Sequence, residues 1–437
     1  MRRFAVLIVA LGLVTGCGLL PNQHAVTYGK PIKVGIPLGL TGNLSEESSM
    51  AKQGYDLWLD WVNNHQGGIE VQGVKHRIQI DYADDQSKPA LDTQVAEKMV
   101  TEDKVSFMLG PYGGSNSTAA AAVADQHHIP MVSSNGSSTS VFTKGDYVFG
   151  IQTPAAQNLQ ALFDMAATLH PAPSTVAILS ADDAFSVEVA RGTADYAAAK
   201  GFKVVFNKQY AAGSTNLYQA LTGVKDTNPD IIVNSGHLVE AIAINKEAKD
   251  LRLNSKMFVY SVGPTMPEFA TTLGRDANYV YTGSQWTAQA KYQPAYYMTS
   301  RQYVAAYQKR YGTDQEPNYQ VADATAAGIA LEKAIENANS RNPDKVRDAL
   351  ASLDLMTFYG RIKFNSGFQN TFKPMLIEQI QGTRRQTVWP AESAGAQAQF
   401  PTPDWAIRSG VSPQAQAPNA KLPQTGQPWS AGGTMSG

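Results

Sequence analysis

Two short runs concentrate hydroxyls and flexible backbone in this 437-residue chain: GPYGGSNST at 110–118 and SSNGSSTS at 133–140. Glycine lets main-chain N–H groups come close to a bound group, and Ser115, Ser117 and Thr118 stand where a helix over the following alanines would begin. Unpaired N–H groups at a helix start, joined by hydroxyl donors, suit one carboxylate or a similar oxyanion. A plainer role fits the first run equally well, with Ser115 or Ser117 capping the helix. The second run repeats the arrangement one turn later, and two neighbouring donor-rich turns favour binding.

Other chemistries find less support. The first run lacks the Gly-Lys-Ser/Thr ending of a phosphate loop and the G-x-G-x-x-G of a dinucleotide fold. His127 and His128 lie at the far end of the alanine run, out of hydrogen-bond reach of Ser115 if that run is helical. There is no G-x-S-x-G elbow and no H-E-x-x-H, and the seven histidines are scattered without ligand spacing. The expectation is therefore a protein that is not an enzyme and that uses no cofactor or metal. Asp84 and Asp85 read as a solvated strand-end turn, and the tyrosines of 291–312 as helix packing.

The elements that must position these turns alternate. Apolar β-type runs at 32–38, 77–83, 105–110 and 129–134 are separated by helical patterns near 46–64, 89–103 and the alanine run. Ser45 is placed to cap the first helix, with Glu46 and Glu47 in its positive first turn. The rhythm restarts after 157 with strands at 175–180, 202–210, 230–236 and 256–262. Helices dominate 295–353, and 361–365 with 375–381 is expected to form a late antiparallel ribbon. Repeated βαβ units predict α/β architecture with parallel sheets covered by helices, and such sheets bind ligands at the carboxyl ends of their strands. In the second layer that edge carries SADDAF (180–185), NSGHLVE (234–240) and VYSVGP (259–264), which offer Asp182, Asp183, Phe185, His237 and Tyr260.

The length predicts two domains. With 36 basic against 37 acidic residues there is no basic surplus for nucleic acid. Beyond residue 20 no apolar run approaches the roughly 18 residues of a membrane helix. The first 16 residues, with Arg2 and Arg3 before FAVLIVALGLV, read as a signal peptide. The only cysteine, Cys17, follows in VTGC. This resembles the lipobox of bacterial lipoproteins, with residues 17–30 as a lipidated linker; the alternative is a signal peptide with an incidental cysteine. From 392 the chain turns to Ala, Gln, Pro, Ser and Gly, and 392–437 is expected to be a disordered tail. Its LPQTG at 422–426 lacks the apolar and basic segments of a wall-anchoring signal.

In order along 32–390, KVGIPLGLTG, NHQGGIEVQG, DDQSKPALDTQVAEKMV, LGPYGGSNSTAAAAVA, IPMVSSNGSS, DDAF and TFYGRIKFN resemble the type I periplasmic solute-binding proteins of ABC importers, branched-chain amino acid group. The resemblance implies two doubly wound parallel-sheet lobes joined by three hinge strands, near 150–156, 282–287 and 356–361. One lobe would then hold 31–152 and 285–356, the other 153–284 and 357–391. It implies a small solute enclosed between the lobes, ABC permease and ATPase partners, and a periplasmic or cell-surface location with the membrane touched only through the lipid.

Carried over by position, Gly114 and Ser115 would grip a carboxylate, Gly136, Ser137 and Ser138 would form the second carboxylate turn, and Phe185 and His237 would contact the ligand from the other lobe. Where relatives place an acid against the ligand ammonium, this sequence has Val262. Asp182 or Asp183 replaces it, or the ligand has no ammonium. Tyr112, Phe185, Tyr260 and Trp286 would suit an aromatic acid, amide or urea. A ligand sensor uncoupled from transport and a hydrolase using Ser115 are the remaining alternatives.

Overall fold

The computed structural model describes residues 27–382 and 384–410. The signal segment, Cys17 with most of the linker, and the tail from 411 with LPQTG lie outside the described residues. The chain begins β1 (Ile32–Leu38), α1 (Ser45–Asp60), a hairpin of β2 (Ile69–Val71) and β3 (Val74–His76), β4 (Ile78–Asp84), α2 (Pro89–Thr101), β5 (Phe107–Leu109), α3 (Gly114–Gln126), β6 (Met131–Ser133) and β7 (Val148–Gly150). It continues α4 (Gln160–Ala166), β8 (Thr175–Ala181), α5 (Ala184–Ala199), β9 (Lys203–Tyr210), α6 (Tyr218–Thr227), β10 (Ile231–Ser235), α7 (Leu238–Asp250), β11 (Met257–Tyr260), α8 (Pro267–Leu273) and β12 (Tyr281–Ser284). Then come α9 (Ser300–Tyr311), α10 (Tyr319–Ala338), α11 (Pro343–Ala351), β13 (Asp354–Thr357), β14 (Gly360–Lys363), β15 (Leu376–Gln381), β16 (Arg384–Trp389) and α12 (Trp405–Gly410).

Two sheets organise the fold. The first runs β4-β1-β5-β6-β7, all parallel, and the second runs β16-β15-β12-β11-β10-β8-β9. In the second sheet β9, β8, β10, β11 and β12 are parallel, and β15 and β16 join antiparallel at one edge. Helices cover these strands, so β1, β8 and β10 carry near-continuous buried apolar runs. The parallel strands of both sheets share one order, in which the first strand in sequence lies between the second and the third. The direction in which successive strands are added therefore reverses between β1 and β5 in one lobe and between β8 and β10 in the other. Crevices for ligands open at such points. The helices that leave them, α1, α3, α5 and α7, direct their N-termini at the gap between the lobes.

Four expectations are corrected. The ribbon of 361–365 with 375–381 does not form: β14 pairs with β13, while β15 pairs with β12 and β16. Phe358, Tyr359, Ile362 and Phe364 are buried in the first lobe's core with Trp286 and α10. Main-chain bonds also tie Gly150 to Phe368 and Asn370. The third crossing therefore lies near 371–375, later than 356–361, because the apolar residues of the β13–β14 hairpin have their partners in the first core.

The tail is ordered further than its composition implies. Trp405 is buried, its indole N–H donates to Leu253 O at 2.7 Å, and Thr402 N donates to Lys256 O at 2.9 Å. Trp405 is one of several anchors of 392–410, with the main-chain N–H of Gly395 donating to Thr387 O and that of Gln399 to Gln379 Oε1, and average composition does not reveal them. Finally, α1 carries no side-chain cap from Ser45; its N-terminus begins at Leu44, whose N–H donates to Ser87 Oγ at 3.2 Å.

Candidate functional site

The first donor-rich turn follows β5. Gly113 adopts φ 91°, which L side chains rarely adopt, and this turns the chain so that α3 starts at Gly114. No side chain caps α3. Ser117 Oγ instead donates to Pro111 O at 3.1 Å, and Thr118 Oγ1 to Gly114 O at 2.7 Å. Ser115 is left facing the second lobe, where its Oγ accepts from Ala184 N at 3.4 Å. A side chain at Gly114 has no room: its Cβ would meet Ser138 Oγ at 2.2 Å and Phe185 N at 3.2 Å.

The second turn packs against the first. Ser137 and Ser138 are buried, and neither hydroxyl has a partner. Gly136 is held close because Ser133 Oγ donates to its carbonyl at 3.1 Å and a Cβ there would meet Ser117 Oγ at 2.1 Å. Orphaned buried hydroxyls are costly, and two of them beside an uncapped helix start form a surface short of an acceptor.

From the second lobe, α5 and α7 supply the opposing wall. Asp183 caps α5, its Oδ1 accepting from Phe185 N at 3.0 Å and Ser186 N at 3.1 Å. Its Oδ2 lies 3.3 Å from His237 Nε2. The Tyr112 hydroxyl lies 3.5 Å from His237 Nδ1, and the Phe185 ring centroid is 5.8 Å from that of His237. Burial opposes charge on His237, but the carboxylate of Asp183 and its hydrogen bond prevail and raise the imidazole to about 9. Asp183 is held well below the usual carboxylate range by the same partner despite its burial. Gly113, Gly114, Ser115, Asp183 and His237 thus line one cavity of about 160 Å³ between the lobes.

Several expected residues lie elsewhere. Tyr260 is in the core beneath α7, with its hydroxyl donating to Asn245 Oδ1 at 3.3 Å. Trp286 is in the first-lobe core, its indole donating to Phe358 O at 3.0 Å. Asp182 is exposed and accepts from Ala212 N at 2.8 Å. Hydrophobic burial claims the aromatic pair and solvent claims the acid. His127 pairs with Glu97 at 2.9 Å and His128 stacks on Tyr147, so neither reaches Ser115. The nitrogens of His237 face Asp183 and Tyr112.

One residue was missed. Glu47, expected only as a first-turn acid of α1, is fully buried, and its Oε1 accepts from Leu238 N of the second lobe at 3.1 Å. Further links between the lobes run from Thr139 N to Glu188 Oε2 at 2.7 Å and from Thr265 Oγ1 to Gln320 Oε1 at 3.4 Å. An acid in a helix's first turn gives no sequence signal that it crosses to another lobe.

Comparison with known proteins locates this arrangement. A family model described as periplasmic binding protein matches residues 31–385. The Leu/Ile/Val-binding protein homolog 7 of Brucella abortus is 20% identical over 406 residues, covering 88% of this chain and 96% of that protein. A leucine binding protein from Thermotoga maritima aligns with a TM-score of 0.73 at 19% identity, covering 82% of this chain and 97% of the other. A solute binding protein of an ABC transporter from R. palustris, in complex with benzoate, aligns with a TM-score of 0.71 at 16% identity, covering 84% and 98%.

Proposed function

Because the chain belongs to the periplasmic binding protein family, we propose that it captures a small carboxylate-bearing solute between its lobes and delivers it to an ABC importer. Family and fold are those of solute-binding proteins and not of enzymes. The observation that carries the ligand class is the uncapped N-terminus of α3, set against Ser115 and the unpartnered hydroxyls of Ser137 and Ser138. Such a cluster of donors without an acceptor suits one carboxylate.

A branched-chain or related amino acid is the first choice, supported by the Leu/Ile/Val-binding relative. An aromatic acid is the second, favoured by the benzoate-bound neighbour and by the rings of Tyr112 and Phe185 around His237. Export and a lipid on Cys17 complete the proposal and rest on the VTGC stretch. Closure of the two lobes is the working motion: a ligand that touches both stabilises the closed population.

A thermal-shift panel of amino acids, amides and aromatic acids on protein lacking the first 17 residues tests this. A ligand at about 100 times its Kd should stabilise the fold by about 2.7 kcal/mol. A panel in which no carboxylate moves the melting temperature would refute the proposal.

A further inference from the structure

Of the carboxylates near the junction of the lobes, Glu188 is bound to Thr139 across it, and three more are already committed. Asp183 divides its oxygens between the α5 cap and His237. Glu240 accepts from Gly213 N at 2.6 Å through Oε1 and from His237 N at 3.1 Å through Oε2. Asp182 is exposed, with Ala212 N on Oδ1. Val262, which stands where relatives place an acid, is buried in the second lobe's core.

Glu47 is the exception. It is fully buried, and while Oε1 takes the Leu238 N–H, Oε2 has no partner. Leu238 directly follows His237, which lines the cavity. Burial pushes the Glu47 carboxyl up, against the charge of His237. Tyr112 and Tyr319 lie near enough for Glu47 to add to the upward push that burial gives their hydroxyls. A buried acid with one oxygen free of hydrogen bonds, set between aromatic side chains and with His237 as its charged neighbour, can take a further N–H donor.

We infer that Glu47 receives the amino group of the solute on Oε2, so that the ligand is a zwitterion with its carboxylate at α3 and its ammonium held by the first lobe. The inference rests on the carboxylate-binding function proposed above. It relocates the acid that relatives carry on the second lobe to α1 of the first. Because Oε1 of the same carboxylate holds the N-terminus of α7, recognition of the amine and closure of the lobes pass through one side chain.

The test uses matched pairs, leucine with 4-methylpentanoate and phenylalanine with 3-phenylpropanoate, together with benzoate. They are titrated calorimetrically into wild type and Glu47→Gln, which keeps an oxygen for Leu238 N. At least one amino acid should bind wild type about 30-fold or more tighter than its deamino partner, and Glu47→Gln should erase that difference while still binding the deamino acid. Carboxylates that bind equally with or without the amine, benzoate binding alone, or an amine preference that survives Glu47→Gln would each overturn Glu47 while leaving carboxylate capture intact. If no member binds, both the inference and the carboxylate function fall.

Discussion

The Lys373 ammonium lies 2.8 Å from both the main-chain and the side-chain oxygen of Gln285, which ties the third crossing between the lobes to the second. Gln285 Oε1 also accepts from Thr153 N at 3.1 Å, which brings in the first crossing. Lys373 is buried, which pulls its ammonium down to about 7, and it faces the carboxyl of Asp323 on α10, which burial pushes up to about 7. Lys373→Met should destabilise the protein by roughly 3 kcal/mol, since it leaves two carbonyl oxygens without their donor and the buried Asp323 without its basic partner. Urea unfolding measures this, and a loss below about 1 kcal/mol would show that the knot contributes little.

Ser115→Ala should weaken carboxylate binding at least about tenfold, the scale of one hydrogen bond to a charged group. The melting temperature without ligand should hardly change, because the native contact of Ser115 with Ala184 N is long at 3.4 Å. Affinity by titration and melting by calorimetry separate the two effects.

Gly114→Ala places a methyl 2.2 Å from Ser138 Oγ and 3.2 Å from Phe185 N. Overpacking of this kind costs about 1–3 kcal/mol. Part of the clash is with the second lobe, so the closed form should suffer more than the first lobe itself. Solution scattering with saturating ligand should show a more extended particle than wild type; an unchanged profile would count against the contact.

The His237–Asp183 pair predicts a pH dependence. Raised from 6.5 to about 9, His237 contributes stability that is complete below pH 6.5 and is lost as pH rises through about 9. Asp183, held low, contributes stability that is present above its ordinary value of 3.8 and is lost as pH falls below that. The melting temperature should therefore decline between pH 6.5 and 9, and His237→Asn should flatten that decline. A wild-type profile flat over that interval would contradict the pairing.

Trp405→Ala should cost about 3–5 kcal/mol, as expected for a buried indole. It also removes the hydrogen bond to Leu253 O and the edge contact with Phe258. Limited proteolysis should then cut within 392–410. Resistance equal to wild type would restore the view that this stretch adds nothing to the fold.

Much of the architecture is legible locally. The β-type runs at 32–38 and 175–180 fall on β1 and β8, and the alanine run after GPYGGSNST is α3. Gly114, Ser115, Asp183 and His237 come together because each follows the carboxyl end of a strand, a property of βαβ order that composition and spacing reveal. The partner of RIKFN was not legible, since an amphipathic strand fits either sheet. Tyr260 and Trp286 were not legible either, because aromatic residues near a strand end suit a core as well as a pocket.

The sequence by itself determined the element types, their order and the donor-rich turns, since these depend on residues close in the chain. Only the tertiary structure decided which acids remain available, because a carboxylate's state is set by the donors and charges that distant segments bring to it. Glu47 meets Leu238 across 191 positions and Lys373 meets Gln285 across 88. Helix periodicity and capping preferences reach only a few residues, and burial removes the water that would otherwise make every such acid alike.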